Sequence, residues 1–293
     1  MNAPFDPARV RRNRERAARA GADGDFLRAR VADDLAERLE AVNRTFARVL
    51  VLGGGAAFSA AVAARSSLRA RVGDLTFADW SSPAGLHFDR LPFAEDSFDL
   101  IVSILALHWV NDLPGALIQL RRALKPDGLL LAALFGGKTL HELREALIAA
   151  ESETRGGAAL RVAPFADALD MAGLLQRAGL ALPVADRDTL VVRYADPLHL
   201  LRDLRAMGET SALAERAPPL TRTVLLRAMA LYHERFADPD GRVRATFDIL
   251  TATGWRPHES QQQPLKPGSA KMRLADALGV AEQSAGEKAG SKG

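Results

Sequence analysis

Short, nearly continuous apolar runs alternate with amphipathic stretches over the first half of the chain. The runs predict strands at Arg48–Leu52, Phe98–Leu105 and Leu129–Phe135, and a further strand is expected at Ala70–Phe77, ending near Asp79. A run that is apolar at successive positions fits a strand buried on both faces. The stretch 86–110, LHFDRLPFAEDSFDLIVSILALHWV, is expected to carry one further strand besides Phe98–Leu105. Between the runs the period changes. Residues 5–39 read as mostly helical, with Val31, Leu35 and Leu39 on one stripe. A helix follows Leu52 through Phe58, Val62 and Arg65. Another spans Asn111–Leu124, where Leu113, Leu117, Leu120 and Leu124 share a side and Asn111 or Asp112 caps the start. Lys125–Gly128, KPDG, has Pro and Gly in turn positions.

Strand, helix and short loop in regular alternation imply an α/β fold with a doubly wound, mostly parallel sheet. The second half is more helical. Helices are expected at Leu140–Glu151, Ala166–Ala178, Pro197–Met207 and Leu220–Phe236, with strands at Thr189–Tyr194 and Arg244–Thr251. This pattern gives an N-terminal helical segment (1–45), a nucleotide-binding core (46–195), a helical cap inserted near the C-terminal strands (196–240), and a terminal strand and closing segment of the core (241–280). Residues 281–293, poor in apolar side chains, are expected to be a disordered tail.

Composition narrows the chemistry. The chain has 293 residues and no cysteine, so disulfides, thiolate-bound metals and thiol nucleophiles are excluded. A net charge of +3 is too even to imply nucleic acid. Arginine does crowd PARVRRNRERAARA, which reads as a solvated helix face, an acidic-partner surface or an organelle presequence. No apolar run approaches the roughly 20 residues that span a bilayer. Few lysines beside many arginines and alanines suggest a GC-rich bacterial source. A cytoplasmic protein is therefore expected, with peripheral association at the inner membrane face, and the mitochondrial matrix as the alternative.

Candidate chemistry begins at RVLVLGGGAAFSA, residues 48–60. Gly53, Gly54 and Gly55 allow a tight turn and close backbone approach, and a helix N-terminus follows. The loop completes neither the dinucleotide fingerprint, since Phe58 occupies its last position, nor a P-loop. A strand–helix turn without ligand explains it equally well. Asp79 is placed to accept from ribose hydroxyls, with Asp74 as its rival, and Asp89 to meet an adenine amino group. His108 is a candidate base or substrate-orienting group, against packing at a strand end. Trp109 is a candidate stacking surface, against core packing. Gln261 and Gln262 suit a peptide backbone or a polar loop. Six scattered histidines give no convincing two-His-one-carboxylate set. His141 with Glu142 and His199 with Asp203 come nearest, and no metal site is expected.

The spacing of FDLIVS, LHWVND, LKPDG and LLLAALFGG resembles the class I S-adenosylmethionine-dependent methyltransferases, which have a Rossmann-like fold. FGGKTLHELREAL, LLQRAGL, DLRAMGE, GRVRATFDIL and TGWRPHESQQQPLKPGSAKMRLADAL narrow the resemblance to the respiratory complex I assembly factor of that superfamily. That family includes a mitochondrial protein arginine hydroxylase; the malonyl-acyl-carrier-protein methyltransferase of biotin synthesis is more distantly similar. The resemblance runs from about residue 5 to residue 280. It implies S-adenosylmethionine as cofactor, held by Gly53, Gly54, Gly55, Asp79 and Asp89. Ser103 and Leu105 would border the place where cofactor and substrate meet, with His108 and Trp109 beyond. It implies as partner an iron–sulfur subunit of complex I bearing the target arginine. An acid for that guanidinium is sought among Glu95, Asp112 and Glu209. Val51 and Ala57 stand where the family commonly has an acid and a further glycine, which weakens the expected cofactor affinity. Ordinary methyl transfer to a small molecule or carrier protein, and a non-catalytic assembly scaffold, remain as alternatives. Hydroxylation needs a metal or an organic cofactor to activate oxygen, so that activity enters through the resemblance alone.

Overall fold

The computed structural model describes residues 3–21, 25–81, 88, 90–261 and 279. In chain order the elements are α1 (Pro7–Ala20), α2 (Phe26–Glu40), β1 (Phe46–Leu52), α3 (Gly55–Ala63), α4 (Ser66–Arg69), β2 (Val72–Ala78), β3 (Phe98–Ile104), α5 (Leu113–Ala123), β4 (Leu124–Phe135), α6 (His141–Arg155), α7 (Ala168–Arg177), β5 (Ala181–Tyr194), α8 (Pro197–Ala206), α9 (Arg222–Phe236) and β6 (Val243–Trp255). A 3-10 turn, Leu107–Trp109, follows β3. None of the described helices is long and apolar enough to cross a membrane. Residues 1–258 form one compact unit and 259–293 a second.

The six strands lie in the order β2-β1-β3-β4-β6-β5. The first four pair in parallel. β6 then runs antiparallel to both β4 and β5. Successive side chains of a strand point to opposite faces, and here both faces are buried. Val49, Val51, Leu100, Val102, Leu129 and Leu131 join one apolar cluster with α2, α3, α6 and α9. Leu50, Leu52, Ile101, Leu130, Ala132 and Leu134 join the other, with α5 and α7. That is why these strands read as continuous apolar runs.

The N-terminal stretch is helical for most of its length, as expected, in two helices. Three expectations are corrected. The arginine-rich α1 is not simply a solvated face: Val10, Asn13, Arg14 and Ala17 are buried in the fold. Only β3 is a strand within the described part of 86–110; residues 86–87 and 89 lie outside the described residues. KPDG does not end an element. It lies inside β4, where the pairing register with β3 shifts between Phe98 and Leu100. Asp127 takes a positive φ of 62° there, so the residues that favour a turn are spent on a bulge. β5 and β6 also extend well beyond their sequence-predicted limits, because each protects the other's backbone through a long antiparallel ladder.

Candidate functional site

The chain direction across the sheet reverses between β1 and β3, and the crevice beyond their carboxyl ends is where ligands of such sheets bind. The three glycines lie there. Gly53 and Gly54 have φ of 70° and 59°. A Cβ on Gly53 would stand 2.6 Å from the Ile104 carbonyl oxygen, so the loop is pressed onto the end of β3. Gly54 caps α3 without a side-chain hydrogen bond, which leaves amide donors of the first turn facing the crevice. Asp79 follows β2; its Oδ1 accepts from the Trp80 amide at 2.6 Å. Trp80 is buried and donates its Nε1–H to the Ala106 carbonyl at 3.0 Å. The structure thus brings Gly53–Gly55 and Asp79 to one end of the sheet. Asp89 lies outside the described residues. Val51 is fully buried between Phe77 and Val102 in the ladder, so a carboxylate at that position would enter an apolar layer.

Beyond β3 the chain turns sharply. Ser103 is buried and its hydroxyl has no hydrogen-bond partner. Leu105 has φ 47°, and its carbonyl accepts from Arg14 at 2.8 Å. His108 and Trp109 follow, both buried, and both converge on Glu209. The Glu209 Oε2 accepts from Trp109 Nε1 at 2.9 Å and meets His108 Nε2 at 3.0 Å. Its Oε1 pairs with Arg14 at 2.7 Å and Arg28 at 3.4 Å. α1, α2 and the turn after β3 therefore meet on the buried carboxylate of Glu209.

Electrostatics fixes the protonation states. Burial pushes the Glu209 carboxyl up, but Arg14, His108 and the hydrogen bonds from His108 and Trp109 outweigh it and hold its pKa at about 2. Burial lowers the pKa of His108, against the opposing pull of Glu209. A carboxylate can only accept, so neutral His108 carries its proton on Nε2. Its Nδ1 is buried without a partner, and the ring packs among Trp109, Phe135 and Phe165. Asp25, at the start of α2 and paired with Arg28, is pushed up to about 7 by burial, with Arg14 lowering it and Glu209 and Asp79 raising it.

A cavity of about 780 Å³ opens on the other side of this cluster. Trp109 and Glu209 form part of its wall, and His108 does not line it. Leu143, Leu147, Phe165 and Leu201 make it largely apolar, while Arg202, Arg205 and Arg216 lie along it.

The other candidates separate clearly. Glu95 is exposed and stands 3.9 Å from Arg122. Asp112 caps α5, accepting from the Gly115 amide at 2.9 Å. Asn111 is not a cap; it exchanges two hydrogen bonds with the Phe5 backbone. His199 pairs with Asp196 rather than Asp203. Glu142 is buried and accepts from the Thr246 amide at 3.1 Å. Among the described residues no three His, Asp or Glu side chains come together as a metal site. Gln261 lies in the second unit and Gln262 outside the described residues. Sequence reasoning missed Arg14, Arg28 and Asp25. Arginines in an exposed-looking helix give no local sign that one of them is buried on a distant carboxylate.

The chain is similar to several known proteins. A family described as a methyltransferase domain matches residues 84–132. The mitochondrial arginine-hydroxylase NDUFAF5 of Danio rerio is 38% identical over 289 residues, covering 93% of this chain and 88% of that protein. The human protein of the same name is 37% identical, covering 86% and 76%. The malonyl-[acyl-carrier protein] O-methyltransferase of Halorhodospira halophila is 35% identical, covering 84% and 86%. Among solved structures, the YcgJ protein of Bacillus subtilis has a TM-score of 0.49 at 16% identity, covering 76% of this chain and 98% of that one. With identity of this level along nearly its whole length, the chain belongs to the arginine-hydroxylase family of the class I methyltransferase superfamily.

Proposed function

We propose that the protein binds S-adenosylmethionine between the Gly53–Gly55 loop and Asp79, and modifies an arginine of a respiratory complex I subunit during assembly. The observation that carries this reading is the identity to the arginine-hydroxylases across 93% of the chain. The donors and acceptors of the crevice suit the cofactor. An uncapped helix start offers N–H groups, and Asp79 offers a carboxylate at the end of the neighbouring strand. When bound, the cofactor supplies an electrophilic methyl group on a sulfonium centre.

The rest concerns this chain's own residues. Trp109, though buried, stands in the cavity wall, and its indole is an aromatic group there that a guanidinium would meet. Glu209 is already neutralised by Arg14 and Arg28, so its role is to hold the Trp109 indole and the His108 ring. Neutral His108, shut away from the cavity, serves that packing rather than proton transfer. A guanidinium entering past Arg202, Arg205 and Arg216 is opposed by their charge. Moderate salt should therefore speed the modification by screening that repulsion.

The test is to incubate the purified protein with the iron–sulfur subunit that neighbours the quinone site, with and without S-adenosylmethionine. The subunit is then analysed by peptide mass spectrometry. A mass gain on an arginine supports the proposal: one methyl group marks transfer from the cofactor, and one oxygen atom marks hydroxylation by molecular oxygen with an added oxygen-activating group and reductant. An unmodified subunit, with binding retained, points to the scaffold.

A further inference from the structure

The cavity carries more positive charge than its surroundings compensate. Five arginines line it against two glutamates, Glu209 and Glu215. Arg161 is satisfied by Glu151 at 2.5 Å, and Arg9 by the Leu213 carbonyl at 2.7 Å. Glu209 is consumed by Arg14 and Arg28. Arg202, Arg205 and Arg216 are exposed, and none has a carboxylate partner among the described residues. Arg202 meets only the His199 ring, at 3.4 Å. Arg205 stands close enough to Arg16 that, with burial, it lowers the pKa of that half-buried guanidinium. Like charges gathered without counter-charge raise each other's free energy, and an anion placed among them relieves it. Behind them the wall is apolar, with Leu143, Leu147, Phe165 and Leu201. A volume of about 780 Å³ is the size of a small-molecule site.

We propose that this cavity binds an amphiphilic monoanion, an acyl chain ending in a carboxylate, with the chain against the leucines and the carboxylate among Arg202, Arg205 and Arg216. An apolar body alone would leave the arginines unrelieved, and a cationic amphiphile would be repelled by them. None of Gly53, Gly54, Gly55 and Asp79 lines this cavity; it is the same cavity to which the proposed function brings the substrate guanidinium, so a carboxylate bound there would occupy the path of that substrate, and the binding test below is made without it.

The probes are decanoate, decanol and decylamine, below their aggregation limits, titrated into the full chain by calorimetry. Intrinsic fluorescence is followed in parallel, since Trp109 is in the cavity wall. Neither cofactor nor protein substrate is present, so the result is independent of the modification assay. Decanoate should bind most tightly, with decylamine weakest. The double variant R202E/R205E should weaken decanoate about tenfold or more. R202K/R205K should retain most of the affinity, and the thermal melts of both should match the parent, since both side chains are exposed on α8. Equal binding of decanol and decanoate, tighter binding of decylamine, an unchanged affinity in R202E/R205E, or no binding of any probe would each overturn the proposal.

Discussion

The crevice proposed for the cofactor and the cavity behind Glu209 are built in opposite ways. The crevice comes from contiguous sequence: one strand end, three glycines and one helix start, with Asp79 from the neighbouring strand. The cavity is assembled from α1, the turn after β3, α6 and the segment around α8, and it holds together through one buried carboxylate. A local site can lose one side chain and keep its shape, because the sheet beneath it persists. A site assembled around a shared charge depends on every partner of that charge. The largest expected effect therefore comes from Glu209→Leu. Removing the anion leaves buried Arg14 with backbone carbonyls alone and Arg28 with Asp25 as its one remaining carboxylate, which should cost about 3–5 kcal/mol. Urea denaturation should show the loss. A cost under about 1 kcal/mol would mean that the two regions do not differ in this way.

Next in size is Gly53→Ala. The residue has φ 70°, and the new Cβ would stand 2.6 Å from a backbone oxygen of β3. Backbone strain and overpacking together should cost about 2 kcal/mol or more, read as a lower Tm. The loop glycine needs no ligand to explain its presence at this position. A substitution there tests the turn before it tests the cofactor.

This separates what the sequence could and could not disclose. Three of the parallel strands, β1, β3 and β4, were legible because burial on both faces writes itself as an apolar run, as in Phe98–Ile104; the edge strand β2 is partly exposed and carries no such run. The glycine loop and Asp79 were legible because their spacing is local. Glu209 could only be named beside Glu95 and Asp112, since nothing near it in sequence marks it as buried. What distinguishes it is Arg14 and Arg28, which arrive from the other end of the chain. KPDG shows the converse limit: residues with turn chemistry also fit a bulge, and pairing with β3 decided between them. For His108 the sequence favours a packed ring over a base, and its enclosure by Phe135 and Phe165 is a tertiary fact.

A smaller effect concerns pH. Asp25 has its pKa raised from its ordinary value of 3.8 to about 7 in the fold. The native state then holds a proton that the unfolded chain releases, so this residue makes stability fall as pH rises from about 4 to 7. Glu209 acts oppositely. Its pKa is lowered from 4.5 to about 2, so its contribution is present above pH 4.5 and is lost as pH falls towards 2. Asp25→Asn keeps a capping oxygen and removes the charge. Its Tm should vary less between about pH 4 and 7 than that of the parent, with the acid limb unchanged. An identical slope in both proteins would show that Asp25 is not the titrating group.

The smallest expected effect on stability is the most informative about the crevice. Gly55 does not have a positive φ, and it opens α3. An added Cβ there would meet the Phe77 ring, its Cδ1 at 2.6 Å. That ring is 53% exposed at the end of an edge strand, so it can swing into solvent. Alanine also restores helix propensity worth roughly 0.5–1 kcal/mol. Gly55→Ala should therefore melt within a few degrees of the parent. A cofactor bound as proposed would experience the change differently, because the new methyl group would stand beside the α3 amides proposed to hold it. Calorimetric titration with S-adenosylmethionine should show affinity weakened by about tenfold, with the fold intact. Unchanged affinity in Gly55→Ala would place the cofactor elsewhere, and the crevice would then be a packed turn whose glycines serve only the chain.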